Sequence, residues 1–188
     1  MAKIKGNHVM QNVRGMIGKQ IVFKERLGTP YVAGPPNVKE NRKVSDEEKG
    51  NQNRFGEAVE FGKYAVKNPD LKKEYAALAK KGQSAYNVAV SDARIPPKIN
   101  SLLTHGYSGQ AGSCILVQAT DNVKVKSVQI SIYDSSMLLI EQGEAADNDD
   151  NINWIYAATI SVEHIAGYKI VASAYDISGN VTVKDVLL

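Results

Sequence analysis

Five aspartates in the predicted turns of the second half of the chain are the residues best suited to chemistry: Asp121, Asp147, Asp149, Asp150 and Asp176. If the strands there run up and down, the loops after Ala119, Glu141 and Tyr175 share one pole. Clustered carboxylates supply the oxygen ligands that Ca²⁺ prefers. Aspartate is also an ordinary turn former, and the helix-loop-helix calcium signature is absent. The pole is therefore interpreted as solvated turns, with a calcium site or a partner-binding pole as alternatives.

A second set of charged residues lies in the predicted helices of the first half: Lys63, Lys67, Lys72, Lys73, Lys80 and Lys81. Of these, Lys73, Lys80 and Lys81 fall roughly on one face and could neutralise phosphates. A site for single-stranded nucleic acid normally adds exposed aromatic side chains, whereas the tyrosines here fall at core-like spacings. The lysines are interpreted as a solvated helix face, with a nucleic-acid site as the alternative.

No catalytic signature accompanies these charges. His8, His105 and His164 are far apart in the sequence, and none has a metal-ligand spacing. The run from Gly15 to Lys19 lacks the first glycine and the final Ser or Thr of a phosphate loop. Cys114 falls inside a predicted strand and is interpreted as a small core residue. We therefore predict that the protein is not an enzyme and has no cofactor, calcium being the one alternative.

Charge divides the chain at Pro96-Pro97. Of its 188 residues, 1–98 contain 19 Lys and Arg against 10 Asp and Glu, and 99–188 contain 4 against 10. The first part is thus net +9 and the second net −6. Such a division is typical of two unrelated modules, of a molecule whose ends meet different partners, or of copies that attract one another.

Localisation is predicted from what the sequence lacks. The N-terminus has no apolar signal-peptide core, no run approaches the length of a membrane span, and a single cysteine allows no intrachain disulfide. A cytoplasmic location is the default expectation, and export without a cleaved signal stays open.

The basic part is predicted to be a hairpin over 19–34, a polar linker over 35–44, and two or three helices. Ser45 and Asn68 are good N-caps, and a third helix is predicted from Ser84 to about Ala93. In the first helix the inward positions are Phe55, Ala58, Val59, Gly62, Ala65 and Val66. Glycines 50, 56 and 62 indicate either close packing against a neighbour or a broken helix. Because large apolar residues are few, we expect this part to be stabilised by the second half, a second copy or a partner.

From residue 98 the hydrophobic period becomes two. Alternating sets around Ile115–Ala119, Val128–Ile132, Trp154–Ala158 and Ile170–Ala174, with turns between them, indicate short strands of a sandwich or barrel. The stretch from Gly143 to Asn151 is taken as one of the turns.

The residues Val117-x-Ala119-x-Asp121-Asn122, Trp154-x-Tyr156 and Ala174-x-Asp176-x-x-Gly179-Asn180 resemble bacterial immunoglobulin-like and fibronectin-type-III-like modules. The resemblance covers 98–188 and implies a fold rather than an activity, because such modules serve as spacers, adhesins and binding domains. The first half loosely resembles uncharacterised bacterial proteins.

We therefore predict an α+β protein by segment, with domains at 1–97 and 98–188: an N-terminal β-hairpin and two or three helices, then a C-terminal antiparallel immunoglobulin-like β-sandwich. The predicted function is non-catalytic, a structural or adaptor protein in which the sandwich displays a binding surface and the basic half docks to a protein partner or a second copy. Nucleic-acid binding is one alternative. Carbohydrate or cell-surface binding is the other, for which only Trp154, Tyr133 and Tyr107 are available as aromatic contacts.

Overall fold

A computed structural model describes residues 2–3, 13–26, 28–35 and 43–188. The chain divides into two compact units, residues 1–48 and residues 49–188. The predicted boundary at 97/98 therefore lies inside the second unit, because the helices belong to the same unit as the C-terminal strands. His8 and most of the predicted linker lie outside the described residues.

The first unit contains a four-stranded antiparallel sheet in the order β1-β4-β3-β2. Its strands are β1 (Ala2–Lys3), β2 (Gly15–Ile17), β3 (Ile21–Arg26) and β4 (Thr29–Ala33). The predicted hairpin is formed by β3 and β4, with Arg26 opposite Thr29. The run from Gly15 to Lys19, compared above with a phosphate loop, supplies β2 and the start of the turn to β3.

Three helices follow, α1 (Asp46–Lys67), α2 (Pro69–Leu78) and α3 (Ala85–Arg94). The two predicted caps are confirmed, and Ser84, at the predicted start of the third helix, is a cap as well. The Ser45 hydroxyl accepts a hydrogen bond from the N–H of Glu48, and the Ser84 hydroxyl accepts one from the N–H of Asn87. The side-chain oxygen of Asn68 accepts hydrogen bonds from two N–H groups in the first turn of α2. Among the described helices none has an apolar stretch sufficient to cross a bilayer.

Helix α1 is less buried than its sequence pattern predicts. It buries Ala58, Gly62 and Ala65, but Phe55, predicted to point inward, is 51% exposed. The glycines differ from one another. A Cβ added to Gly62 would meet the side chains of Val90 and Tyr86, whereas one added to Gly50 or Gly56 would meet nothing within 4 Å. Close packing therefore explains Gly62 alone.

The remaining strands form a seven-stranded antiparallel sheet that is nearly closed into a barrel, in the order β11-β10-β7-β8-β9-β6-β5. They are β5 (Lys98–Leu103), β6 (Cys114–Thr120), β7 (Val125–Tyr133), β8 (Leu139–Asp147), β9 (Asn153–Ala157), β10 (Lys169–Asp176) and β11 (Val181–Leu187). The two end strands approach each other, since the Lys184 ammonium on β11 donates to the carbonyl of Asn100 on β5 across 2.9 Å.

Strand β8 corrects the sequence interpretation, which took Gly143–Asn151 as a turn. Residues up to Asp147 belong to the strand, which pairs with β7 along most of its length and with β9 at its end. Only Glu141 and Ala145 are buried in it, so it lacks the apolar alternation by which the other strands were recognised.

Two apolar cores lie in the second unit. Alternate residues of all strands but β11 fill the larger one, inside the curled sheet. The smaller core joins Ala65, Tyr75, Val88 and Ala89 of the helices to Ile177 of the β10–β11 loop, with Val123 of the β6–β7 loop packed against it. Loops of the sheet therefore contact the helices, in agreement with one of the three expected sources of stabilisation, the second half of the chain.

Candidate functional site

The predicted acidic pole exists as a set of loops, but most of its carboxylates are engaged in turns. Asp121 accepts from the N–H groups of Val123 and Lys124 at 2.7 and 3.0 Å, and Asp150 from those of Ile152 and Asn153 at 2.8 and 2.7 Å. Asp147 similarly accepts from the N–H of Asn151, and Asp149 is exposed, with φ +62°. These contacts are the turn-forming roles that aspartate commonly has.

An open cleft of about 460 Å³ lies at this pole. Of the five predicted site residues it brings together only Asp121 and Asp150; its other lining residues are Leu78, Thr120, Val123, Lys124, Val125, Asn151 and Ile152. Across the part of the chain that the structure describes, no three His, Cys, Asp or Glu side chains are grouped to hold a metal ion. The calcium site stays a prediction without structural support.

Asp176 has a different environment, because it is 1% exposed and organises the β10–β11 turn. Its Oδ1 accepts from the Ser178 hydroxyl and the N–H of Asn180, both at 2.8 Å, and its Oδ2 accepts from the Asn180 amide at 2.8 Å. The Asn180 amide also lies 3.2 and 3.3 Å from the carbonyls of Asp92 and Ala93, at the end of α3. The motif A-x-D-x-x-G-N therefore connects the sheet to the helices.

Asp92, which the sequence interpretation did not select, lies beside this turn and is fully buried on α3. Its Oδ2 accepts a 2.7 Å hydrogen bond from the Tyr75 hydroxyl on α2, and Tyr75 is also fully buried. Its Oδ1 has no hydrogen-bond partner among the described residues. We call Tyr75, Asp92, Asp176, Ser178 and Asn180 the junction network.

The electrostatics of Asp92 follow from this geometry. Its pKa is raised from 3.8 to about 7, first by burial and then by the charges of Asp176 and Asp121, while the Tyr75 hydrogen bond and the backbone N–H of Ser178 oppose the rise. The pKa of Tyr75 is raised as well, by burial first and then by its bond to Asp92. Asp92 is thus a carboxyl group that changes charge near neutral pH.

Sequence reasoning did not select Asp92, because helical spacing also groups the apolar residues Tyr86, Val90 and Ala93 on one face of α3. The buried residues are Val88, Ala89 and Asp92. Their i, i+1, i+4 spacing puts a carboxylate on an apolar face, and that signal is visible in the sequence. Its partner Tyr75, seventeen residues earlier, is not identifiable from spacing alone.

A third buried carboxylate, Glu141 on β8, has more hydrogen-bond donors than Asp92. It accepts from the hydroxyl of Tyr156 at 2.7 Å, from the N–H and hydroxyl of Thr159 at 2.6 and 2.7 Å, and from the N–H of Ile160 at 3.3 Å. Burial alone would raise its pKa, but these hydrogen bonds together lower it. Glu141 is therefore an ionised anchor for the segment after β9.

Some of the remaining predicted site residues are exposed to solvent and others are buried. Lys73, Lys80 and Lys81 are exposed, as a solvated face requires. The interpretation of Cys114 as a core residue is wrong, because its side chain is exposed and the neighbouring Ile115 points into the core instead. Trp154 and Tyr107 are only 6% and 5% exposed, so two of the three aromatic residues considered for carbohydrate contact lie in the core.

An apolar surface lies at the far end of the same sheet. Lys169 of β10 pairs with Leu187 of β11 and with Tyr133 of β7, and Tyr133 pairs with Leu139 of β8. Leu187 and Leu139 are 71% and 45% exposed. The adjoining turn presents two more exposed side chains, Met137 and Leu138. We call Tyr133, Met137, Leu138, Leu139 and Leu187 the outer patch.

The turn of the outer patch is held rigidly although its tip is apolar. The Asp134 carboxylate accepts from the N–H groups of Ser136 and Leu138 at 2.8 and 2.9 Å, and its backbone exchanges bonds with Met137 and Leu138. Met137 adopts φ +64°, an uncommon conformation for a residue other than glycine. The tip is therefore fixed in the shape that displays its side chains.

Comparison with known proteins gives only remote likenesses. No protein-family model and no curated protein matches the chain. CopC from Methylosinus trichosporium OB3b is similar with a TM-score of 0.37 and 13% identity, covering 47% of this chain and 87% of CopC. An engineered protein is similar with a TM-score of 0.31 and 12% identity, covering 58% of this chain and 28% of that one. Likenesses this remote carry no conclusion about this chain.

Proposed function

We propose that the chain is a non-catalytic structural protein with an immunoglobulin-like C-terminal module, and that its copies associate through the outer patch. The observation that carries the proposal is the row Leu187–Lys169–Tyr133–Leu139, which continues into the rigid tip at Met137 and Leu138. Contiguous exposed apolar residues with a polar rim are typical of interaction surfaces rather than of free surface.

Charge at the patch favours a second copy as the occupant. The Lys169 ammonium, in the middle of the row, lies 2.9 Å from the carboxylate of Asp185, which is on β11 beside the row. In a dimer with two-fold symmetry, Asp185 of the second copy could face Lys169 of the first, and Lys169 of the second could face Asp185 of the first. This is the self-complementarity that a symmetric dimer needs.

The test is the molar mass of the full chain in solution, by light scattering over a range of concentrations. We expect a dimer or larger assembly that the double variant Leu139→Ser, Leu187→Ser converts to a monomer. The matched control is Ile155→Ser, which removes a side chain that is 38% exposed on β9, opposite Ala146 and outside the patch. A monomeric wild type at every concentration, or equal dissociation by the control, would contradict the proposal.

Nucleic-acid binding by the helices is a second candidate because of one observation. Tyr64 on α1 is 58% exposed beside Lys63 and Lys67, so the exposed aromatic side chain that such a site needs is present after all. Fluorescence anisotropy with generic single-stranded DNA and RNA at low salt tests this candidate. Binding that weakens with salt and is lost in Tyr64→Ala would support it, and no binding at low salt would exclude it.

A further inference from the structure

We propose that protonation of Asp92 stabilises the packing of helices α2 and α3 against the end of the sheet, and that deprotonation weakens this contact. The helix–sheet contact is thus a pH-sensitive switch. The inference concerns a different part of the molecule from the outer patch and does not depend on the proposed function. It follows from the position of Asp92 in the junction network, where the two helices and two loops of the sheet meet.

The first argument is the shortage of donors. Asp92 is fully buried, and its Oδ2 accepts a hydrogen bond from the Tyr75 hydroxyl at 2.7 Å. The backbone N–H of Ser178 favours the charged form less than Tyr75 does, and Oδ1 has no partner among the described residues. A buried carboxylate needs several donors to compensate for the water it has lost, whereas a neutral carboxyl group needs much less. Glu141 in the same chain illustrates the difference, because four donors surround it.

The second argument is the charge around it. The titratable groups that act on Asp92 come from three elements: Tyr75 from α2, Asp176 from the end of β10, and Asp121 from the β6–β7 loop. The pKa of the Tyr75 phenol is raised, and the coulombic effect of both aspartates raises the pKa of Asp92. Ionised Asp92 would therefore face like charges, which disfavours the charged form further.

The third argument is location. The Asn180 amide lies 3.2 and 3.3 Å from the carbonyls of Asp92 and Ala93, and Ile177 belongs to the same core as Tyr75, Val88 and Ala89. Repulsion between Asp92 and Asp176 would therefore act on the contact by which α3 meets the β10–β11 loop.

The direction with pH follows from linkage. The folded pKa of about 7 lies above the ordinary value of 3.8, so the folded state binds the proton more tightly than the unfolded state. The stabilisation is complete below the unfolded pKa, declines as pH rises, and is lost above the folded pKa. The contact between the helices and the sheet is therefore more stable in mildly acidic solution and becomes less stable as the pH rises through neutrality.

The primary test is a carboxyl-carbon NMR titration of the full wild-type chain, with amide hydrogen exchange measured in parallel. We expect Asp92 to titrate near neutrality and, after correction for intrinsic exchange chemistry, about a tenfold or greater loss of protection in α2 and α3 between roughly pH 6 and 9. Asp92→Asn should abolish this loss, whereas the control Glu141→Gln should retain it.

A second variant covers the event that Asp92→Asn does not fold. Tyr75→Phe removes the hydrogen bond that favours the charged carboxylate, so the midpoint of loosening should move to higher pH. An Asp92 carboxyl group that titrates near its ordinary pKa in the wild type would overturn the proposal. So would a pH-dependent loss of protection that persists in Asp92→Asn.

Discussion

Tyr75 and Asp92 are joined by a 2.7 Å hydrogen bond between two helices, and both side chains are fully shielded from water. The same chain contains a matching pair on the sheet, in which Tyr156 donates to Glu141, also at 2.7 Å. The two carboxyl groups nevertheless have pKa values shifted in opposite directions, because Glu141 has additional donors and Asp92 has an unpartnered oxygen. Burial is the largest single influence on both pKa values; the four donors together outweigh it at Glu141, whereas the donors at Asp92 do not.

Replacing Tyr75 by Phe should lower the free energy of unfolding by about 1–3 kcal/mol, because a buried acceptor loses its partner while the ring volume is kept. The loss should be larger in alkaline solution, where Asp92 is ionised and the hydrogen bond is charge-assisted. Urea unfolding at mildly acidic and alkaline pH measures both effects. A loss that is the same at both pH values would show that the charge state of Asp92 does not change.

Replacing Glu141 by Gln should lower the stability of the protein at neutral pH, and the effect should disappear towards acidic pH. The folded pKa of Glu141 lies below its ordinary value, so its contribution is present above the unfolded pKa and is lost as pH falls through the folded pKa. The variant should therefore be less stable than the wild type at neutral pH, and the difference should shrink on acidification below about pH 4. Thermal unfolding from neutral to acidic pH gives the measurement, and a difference that grows on acidification would contradict the assignment.

Two glycine-to-alanine substitutions in α1 should change the free energy of unfolding in opposite directions. Gly56→Ala adds a methyl group that meets nothing within 4 Å, so it should stabilise the protein by up to about 1 kcal/mol through helix propensity. At Gly62 the new Cβ would lie 2.5 Å from the Val90 side chain and 3.0 Å from the ring of Tyr86, so Gly62→Ala should destabilise it despite the same gain. Denaturant midpoints of the two variants provide the comparison, and stabilisation by both would mean that α1 and α3 are not in close contact.

The parts of the fold that the sequence predicts are those with a local signal. Alternation predicted strand β6 with Ile115, Val117 and Ala119 on one face, and side-chain capping predicted the starts of the first two helices. The second half of β8 was taken as a turn because the one buried apolar residue of the strand is Ala145, so it shows no period of two. Phe55 was placed inward by spacing, but a helical period fixes only which residues share a face and does not say whether that face is covered.

The junction network and the outer patch depend on pairings that no local pattern encodes. Tyr75, Asp92 and Asp176 come from two helices and a strand, and only the tertiary contact between helices and sheet brings them together. The outer patch depends on strand register, which sets Leu187, Lys169, Tyr133 and Leu139 side by side. The acidic pole was predicted from turn positions, yet Asp176 turned inward to the helices while Asp149 remained exposed.

The most direct measurement of the proposed function is hydrogen exchange of the wild-type chain over a concentration series, because it reports which surface becomes covered. We expect amides of β11 and of residues 133–139 to gain protection as the concentration rises, while those of β5 and β9 exchange at an unchanged rate. Exchange in β11 and in residues 133–139 that does not vary with concentration would contradict association through the outer patch.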